Sequence, residues 1–188
     1  MNGTELPKYR RDLWRLLDQS PLPARIAEIG VAEGLFSNDI NHWPIDIETI
    51  YLVDRWQCYP TQKGDGGNPQ EWHDKNHLDV VGRMSESIST GRVQILRGDS
   101  VEMSKQVEDK SLDLVYIDAD HSYEGCLRDI RAWHSKVKPL GFMAFHDFEN
   151  PAYGVKAAVR DFCRSNRIEH IYKLPEDRLA DAGAFFQC

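Results

Sequence analysis

Cysteine is sparse in this chain. The four that occur, Cys58, Cys126, Cys163 and Cys188, are scattered without C-x-x-C spacing, so neither a zinc site nor a disulfide scaffold organises the fold. Long hydrophobic runs are missing as well: no stretch approaches the ~20 apolar residues of a membrane span. The start, Met1 to Arg11, is polar and lacks the apolar core of a secretion signal. A cytoplasmic protein with no membrane partner is the expectation. Basic residues do not dominate either. With 23 Lys and Arg against 30 Asp and Glu the formal charge is −7, and no basic stripe appears, so nucleic acid is not an expected partner. Repeats, low-complexity tracts and linker-like stretches are absent. So are G-x-G-x-x-G and G-x-x-x-x-G-K-[ST], the two common phosphate-cradling fingerprints. What remains is one domain over 1–188, with 41% apolar residues to build a core.

The organising stretch is Arg25-Ile-Ala-Glu-Ile-Gly-Val-Ala-Glu-Gly34. Arg25 to Ile29 reads as a strand, Gly30 permits a sharp turn, and Leu35 to Ile40 continues as a helix. A strand, a glycine turn and a helix start present backbone N–H groups to a small polar or anionic ligand. Upstream, Leu13, Trp14, Leu16 and Leu17 fall near helical spacing, giving a helix within an N-terminal segment 1–22 that Ser20-Pro-Leu-Pro23 ends. Trp14 reads there as core packing.

Thr49 to Val53 is a second buried strand and ends in Asp54, where an acidic side chain can accept both hydroxyls of a ribose. Next come a lid loop and helix over 55–90. Glycines and prolines keep Arg55 to Gln70 irregular, and Glu71 to Ser89 is helical in pattern. Trp56, Tyr59 and Trp72 are expected to help wall a substrate pocket. Arg92 to Leu96 is a third strand, followed by Gly98-Asp-Ser100, with Ser100 expected to cap a helix over Val101 to Gln106.

Two further strand ends carry most of the chemistry. Leu112 to Ile117 leads into Asp118-Ala-Asp120-His121, and Phe142 to Phe145 leads into His146-Asp147. If the two strands are parallel neighbours, these groups converge at one rim, where clustered carboxylates call for a cation or a shared proton. Oxygen ligands suit Mg²⁺, Mn²⁺ or Ca²⁺, and a histidine suits Mn²⁺, Fe²⁺ or Zn²⁺. Asn150-Pro151 predicts a helix start. Two short strands, Ile168 to Lys173 and Gly183 to Phe186, joined by a loop over Pro175 to Asp181, close the chain.

Glu28-Ile-Gly30-x-x-x-Gly34 resembles motif I of the class I S-adenosylmethionine (SAM) dependent methyltransferases. Val115-Tyr-Ile-Asp-Ala-Asp-His-Ser-Tyr123 is similar to the I-D-A-D-H-x-Y-E-x-x-x-x-D form of the cation-dependent O-methyltransferase branch, which includes caffeoyl-CoA, catechol and macrolide-sugar enzymes. The resemblance covers roughly Arg25 to Phe162. It implies an α/β fold: a doubly wound, mostly parallel seven-stranded sheet with a closing antiparallel strand. It also implies SAM as cofactor, with the methionine moiety near Glu28, Gly30 and Gly34, the ribose at Asp54, and the adenine at Asp99 and Ser100. Asp118, beside the cofactor, joins His146 and Asp147 as ligands of a divalent metal, Mg²⁺ or Mn²⁺. The catalytic base is His121 or Asp120, and the acceptor is a hydroxyl of a small molecule. The homodimer stays open.

The sequence departs from the family in having one glycine fewer in motif I and His-Asp rather than Asp-Asp or Asp-Asn after strand five. The amine-methylating [DN]-P-P-[YF] is absent, which argues against methylation of adenine or cytosine. Competing readings are an NAD-dependent oxidoreductase, a non-catalytic SAM- or nucleotide-binding module and, on the Asp/His cluster alone, a metal-dependent hydrolase.

Overall fold

The computed structural model describes residues 6–18, 23–60, 64–174 and 182–188. The break expected over 20–23, but for Pro23, and the loop expected over 175–181 lie outside them, as does part of the lid, 61–63. Seven strands form one sheet: β1 (Ala24–Ile29), β2 (Ile47–Asp54), β3 (Val93–Arg97), β4 (Leu112–Ile117), β5 (Val137–Phe145), β6 (Tyr172–Leu174) and β7 (Gly183–Gln187). Their order is β3-β2-β1-β4-β5-β7-β6. The pairs β1–β2, β1–β4, β2–β3 and β4–β5 are parallel, while β7 runs antiparallel to both β5 and β6. This is the doubly wound sheet with a closing antiparallel strand that the resemblance implies.

Strict alternation along the central strands decides which helices each face meets. Ala27, Ile29, Val115, Ile117, Met143 and Phe145 point to one side and pack under α5 (Tyr123–His134) and α6 (Val155–Ser165). Ile26, Ile50, Leu52, Leu114 and Tyr116 point to the other, toward α1 (Leu35–Asn41) and α2 (Gln70–Arg83). Both faces are covered, so the strands read as continuous apolar runs. Two short helices complete the layers, α3 (Ser85–Ser89) and α4 (Ser100–Ser104). No described helix is long and apolar enough to cross a membrane.

Several boundaries move for local reasons. The N-terminal helix is a 3-10 turn, Arg10–Leu16, that buries Leu13 and leaves Trp14 half-buried at the core's edge. The helix expected over 71–89 breaks at Met84 into α2 and α3. At α4 the cap is Asp99 rather than Ser100: its carboxylate accepts from Val101 N and Glu102 N, and Ser100 is the first helical residue. Asn150-Pro151 opens a turn instead of α6. The Asn150 side chain accepts from Ala152 N, and the helix waits until Val155 because Gly154 N donates to the His121 carbonyl.

Candidate active site

A ladder of backbone hydrogen bonds aligns the strand ends that the sequence singles out. Gly98 N donates to the Asp54 carbonyl, Gly30 N to Val53, Asp118 N to Ile29 and His146 N to Ile117, each at 2.8–3.0 Å. These four bonds cross β3, β2, β1, β4 and β5 in spatial order, so the candidate residues share one rim at the carboxyl ends of the parallel strands. That rim is where open α/β sheets bind ligands. A cavity of about 790 Å³ opens on it.

The glycine loop is shaped by crowding. Gly30 has φ 88°, and a Cβ there would overlap the carbonyl of Asp118. Only glycine lets the ends of β1 and β4 come this close while the chain turns. Gly34 takes the left-handed conformation at the start of α1, against Val80 of α2.

Asp54 braces this loop from the neighbouring strand. Its Oδ2 accepts from Val31 N (2.8 Å) and Ala32 N (2.9 Å), and its Oδ1 accepts from Trp56 N (2.7 Å). Trp56 is fully buried and donates its indole N–H to the Ala32 carbonyl, so it ties loop to loop. Of the three aromatics expected to wall a pocket, Tyr59 and Trp72 line the cavity. Glu28 lies under the loop, 2% exposed, with Ser37 as hydrogen-bond partner. Burial pushes its carboxyl up to about 8, against the opposing hydrogen bond from Ser37.

The Asp/His cluster forms between β4 and β5. His121 Nε2 lies 3.2 Å from Asp118 Oδ1 and 3.1 Å from Asp147 Oδ2. His146 Nδ1 faces the same two oxygens, 3.5 Å from Asp118 and 2.8 Å from Asp147. Burial works to lower both imidazoles, but hydrogen bonds and charge from the carboxylates prevail: His121 rises to about 10, and His146 also rises. Burial likewise works to raise Asp147, and the two histidines override it and hold its carboxyl below the usual range. Asp147 takes a left-handed backbone (φ 54°), and Asn150 N donates to its carbonyl in the turn that follows.

The two carboxylates therefore share protons carried by imidazoles, the arrangement that a cation would replace. Asp118, His121 and Asp147 each offer one ligand atom, all within 4.8 Å of one another. Such mixed oxygen and nitrogen donors fit a divalent ion of the Mn²⁺ type.

Not every expected site residue joins the cluster. Asp120 turns away: its Oδ1 accepts from Ser122 N, and its carboxyl packs against Gly125 at the start of α5. Asp99, expected at an adenine, caps α4 and is ion-paired to Arg55. Ser100 is buried and accepts from the Trp133 indole at 2.8 Å. Sequence reasoning missed Tyr153, whose ring stacks on His121 (centroids 4.5 Å apart, 13° between planes). A lone tyrosine in a loop carries no signal of its own.

A family model described as "Methyltransferase domain" matches residues 27–148. Over 136 residues the chain is 33% identical to the uncharacterized protein y4gI of Sinorhizobium fredii; this match covers 70% of the chain and 14% of that protein's length. Among solved structures, the calicheamicin methyltransferase CalS11 superposes with TM-score 0.67 at 19% identity, covering 95% of this chain and 76% of that one. The O-methyltransferase NovP gives 0.65 at 17%, covering 95% and 77%. SMU.1697c of Streptococcus mutans, solved with SAH, gives 0.59 at 11%, covering 87% and 88%. At these identities the likeness to solved structures is one of fold.

Proposed function

We propose, from the membership of this chain in the methyltransferase-domain family and the rim just described, that it transfers a methyl group from SAM to a hydroxyl of a small molecule, with a divalent metal assisting. The observation that carries this reading is a convergence. The glycine loop, the braced Asp54 and the cluster of Asp118, His121 and Asp147 open on one cavity. The fold neighbours CalS11 and NovP, a calicheamicin methyltransferase and an O-methyltransferase by name, support hydroxyl as the acceptor class.

In this reading SAM supplies an electrophilic methyl, and a metal ion lowers the pKa of a hydroxyl brought beside it. The chain's own work is positioning. Gly30 would admit the cofactor to the β1 end, and Asp54, which fixes Val31 N and Ala32 N of the loop, would meet it along the rim. Asp118, His121 and Asp147 would be the ligands of the ion, with His121 in the place expected of His146, whose Nδ1 faces the same Asp118 and Asp147 oxygens. Tyr153 covers one face of the His121 ring.

Asp118 and Asp147 outweigh burial and raise the His121 imidazole to about 10, which favours its protonated form at neutral pH. It can serve as ligand or base only after that proton has left. Asp120, committed to the start of α5, is not the base in this proposal.

The test is calorimetric titration of SAM into the protein, with and without Mn²⁺, followed by SAH formation with hydroxylated acceptors such as sugar nucleotides and catechols. Micromolar binding and metal-dependent turnover are expected. No SAM binding in any condition overturns the reading. Full turnover in excess chelator overturns its metal component alone.

A further inference from the structure

Tyr153 remains 36% exposed, yet its ring is fixed: one face stacks on His121, with centroids 4.5 Å apart and 13° between planes. The short stretch that carries it is tied down as well. Asn150 N donates to the Asp147 carbonyl (3.1 Å), Tyr153 N to that of Asn150 (3.3 Å) and Gly154 N to that of His121 (2.8 Å). Gly154 permits this approach, since a Cβ there would lie 2.3 Å from Tyr123 N. An aromatic ring held in this way offers contact area with little conformational entropy left to lose, which is the property of a binding platform.

The stack also fixes where a ligand can meet Tyr153. His121 occupies the inner face, so a group packed on the outer face forms a third layer, roughly 9 Å from the His121 ring centre at ordinary ring spacings. A hydroxyl that reacts beside Asp118, His121 and Asp147 cannot belong to that layer, because it must touch the cluster. What covers Tyr153 is therefore a second part of the acceptor, nearer the mouth of the cavity.

The surface around the mouth sets the chemistry of that part. Among the described residues the exposed large apolar side chains are Leu6, Leu35, Leu78, Leu140 and Tyr153, and of these Leu35 and Tyr153 line the main cavity. Leu35 follows β1 and Tyr153 follows β5, so the two flank the end of β4, which leads into Asp118 and His121.

We infer that Tyr153 is a specificity-determining residue for the acceptor: it binds a distal, flat apolar group joined to the hydroxylated part that reacts at the cluster. The acceptor class is thus a conjugate, such as an aryl glycoside or an aryl-substituted catechol, rather than a free monosaccharide or a simple phenol. The inference rests on the methyltransferase reading above.

The experiment uses the SAH-loaded protein labelled with 3-fluorotyrosine. Of the seven tyrosine ¹⁹F signals, that of Tyr153 is the one lost in Tyr153→Phe. Two pairs of probes are titrated, methyl and phenyl β-D-glucopyranoside, and catechol and 4-phenylcatechol. In at least one pair the phenyl member is expected to bind about fivefold more tightly, the size of one aromatic contact, and to shift the Tyr153 signal. The pair that responds distinguishes a sugar acceptor from a phenolic one. Tyr153→Phe should keep the preference, and Tyr153→Ala should reduce it to within about twofold with SAH affinity unchanged. Equal binding within both pairs, a Tyr153 signal that stays still, or a preference that survives Tyr153→Ala overturns the inference and leaves the methyltransferase reading standing. A parallel loss of SAH affinity in Tyr153→Ala also overturns it, because the ring would then serve the cofactor. Should Tyr153→Ala not fold by circular dichroism, the wild-type Tyr153 signal decides. Absence of SAH binding to the wild-type protein removes the methyltransferase reading itself, and the inference falls with it.

Discussion

Gly30 and Asp118 end adjacent parallel strands so closely that the space for a side chain on one is filled by the backbone carbonyl of the other. The contact joins the two halves of the site, since Gly30 opens the proposed cofactor loop and Asp118 anchors the Asp/His cluster. Anything that pries them apart moves both.

Gly30→Ala is expected to do so. The new Cβ must displace backbone rather than a flexible side chain, and φ 88° is unfavourable for any residue with a Cβ. Together these cost about 3 kcal/mol or more, a drop in Tm of roughly 10 °C for a domain of this size. SAH binding should disappear with it. A thermal melt unchanged from the wild type would show that the rim relaxes at no cost.

Asp54→Ala removes the acceptor of three backbone N–H groups, those of Val31, Ala32 and Trp56. Leaving such groups unpaired costs about 1–3 kcal/mol. SAH affinity should fall by tenfold or more in calorimetry, because the loop loses its brace whether or not the carboxylate also meets a ribose. Asp54→Asn separates the two effects: it keeps one acceptor oxygen for the loop and should lose less stability than affinity.

Glu28 predicts a pH dependence of folding stability. Its carboxyl is pushed up to about 8 in the folded protein from an ordinary value of 4.5, chiefly by burial. The folded state therefore favours the protonated form. Its contribution is fully present below about pH 4.5 and is lost progressively as pH rises through 8. Denaturant melts at pH 5.5 and 8.5 should show the wild type losing stability relative to Glu28→Gln, by on the order of a few kcal/mol at the limit. Parallel curves for the two proteins would contradict a buried, proton-binding Glu28.

Metal binding should expel a proton. His121 is raised to about 10 by Asp118 and Asp147, which outweigh its burial, and it must be deprotonated to ligate. Mn²⁺ titrated at pH 7.5 in two buffers of different ionisation enthalpy should report release of about one proton per ion. In His121→Gln the affinity should fall and the proton release should shrink to what His146 contributes. Binding with no proton exchange would remove His121 from the ligand set.

Much of the fold was legible because the sheet is buried on both faces. Runs such as Thr49 to Val53 and Leu112 to Ile117 are apolar at nearly every position, and each ends in the acidic residue that faces the cavity. Helix starts were less legible. Asn150-Pro151 carries a strong local signal, yet Gly154 is drawn to the His121 carbonyl and Tyr153 onto the His121 ring, so the helix begins only after both contacts are made. Asp99 and Ser100 exchanged cap and helix positions because either side chain can accept from the following N–H groups, and packing against Trp133 chose between them.

Residue type and spacing along the chain were enough to place the strand–helix alternation, the glycine turn at Gly30 and the acids and histidines at strand ends. Those features follow from local periodicity and from the rule that parallel strands present their carboxyl ends to one rim. Which acids remain available was settled by long-range packing. Asp120 is drawn into the start of α5 and Asp99 into a cap and an ion pair, while His121 lies between two carboxylates. A side chain's partners are set by what packs against it from distant parts of the chain, and spacing along the sequence does not carry that information.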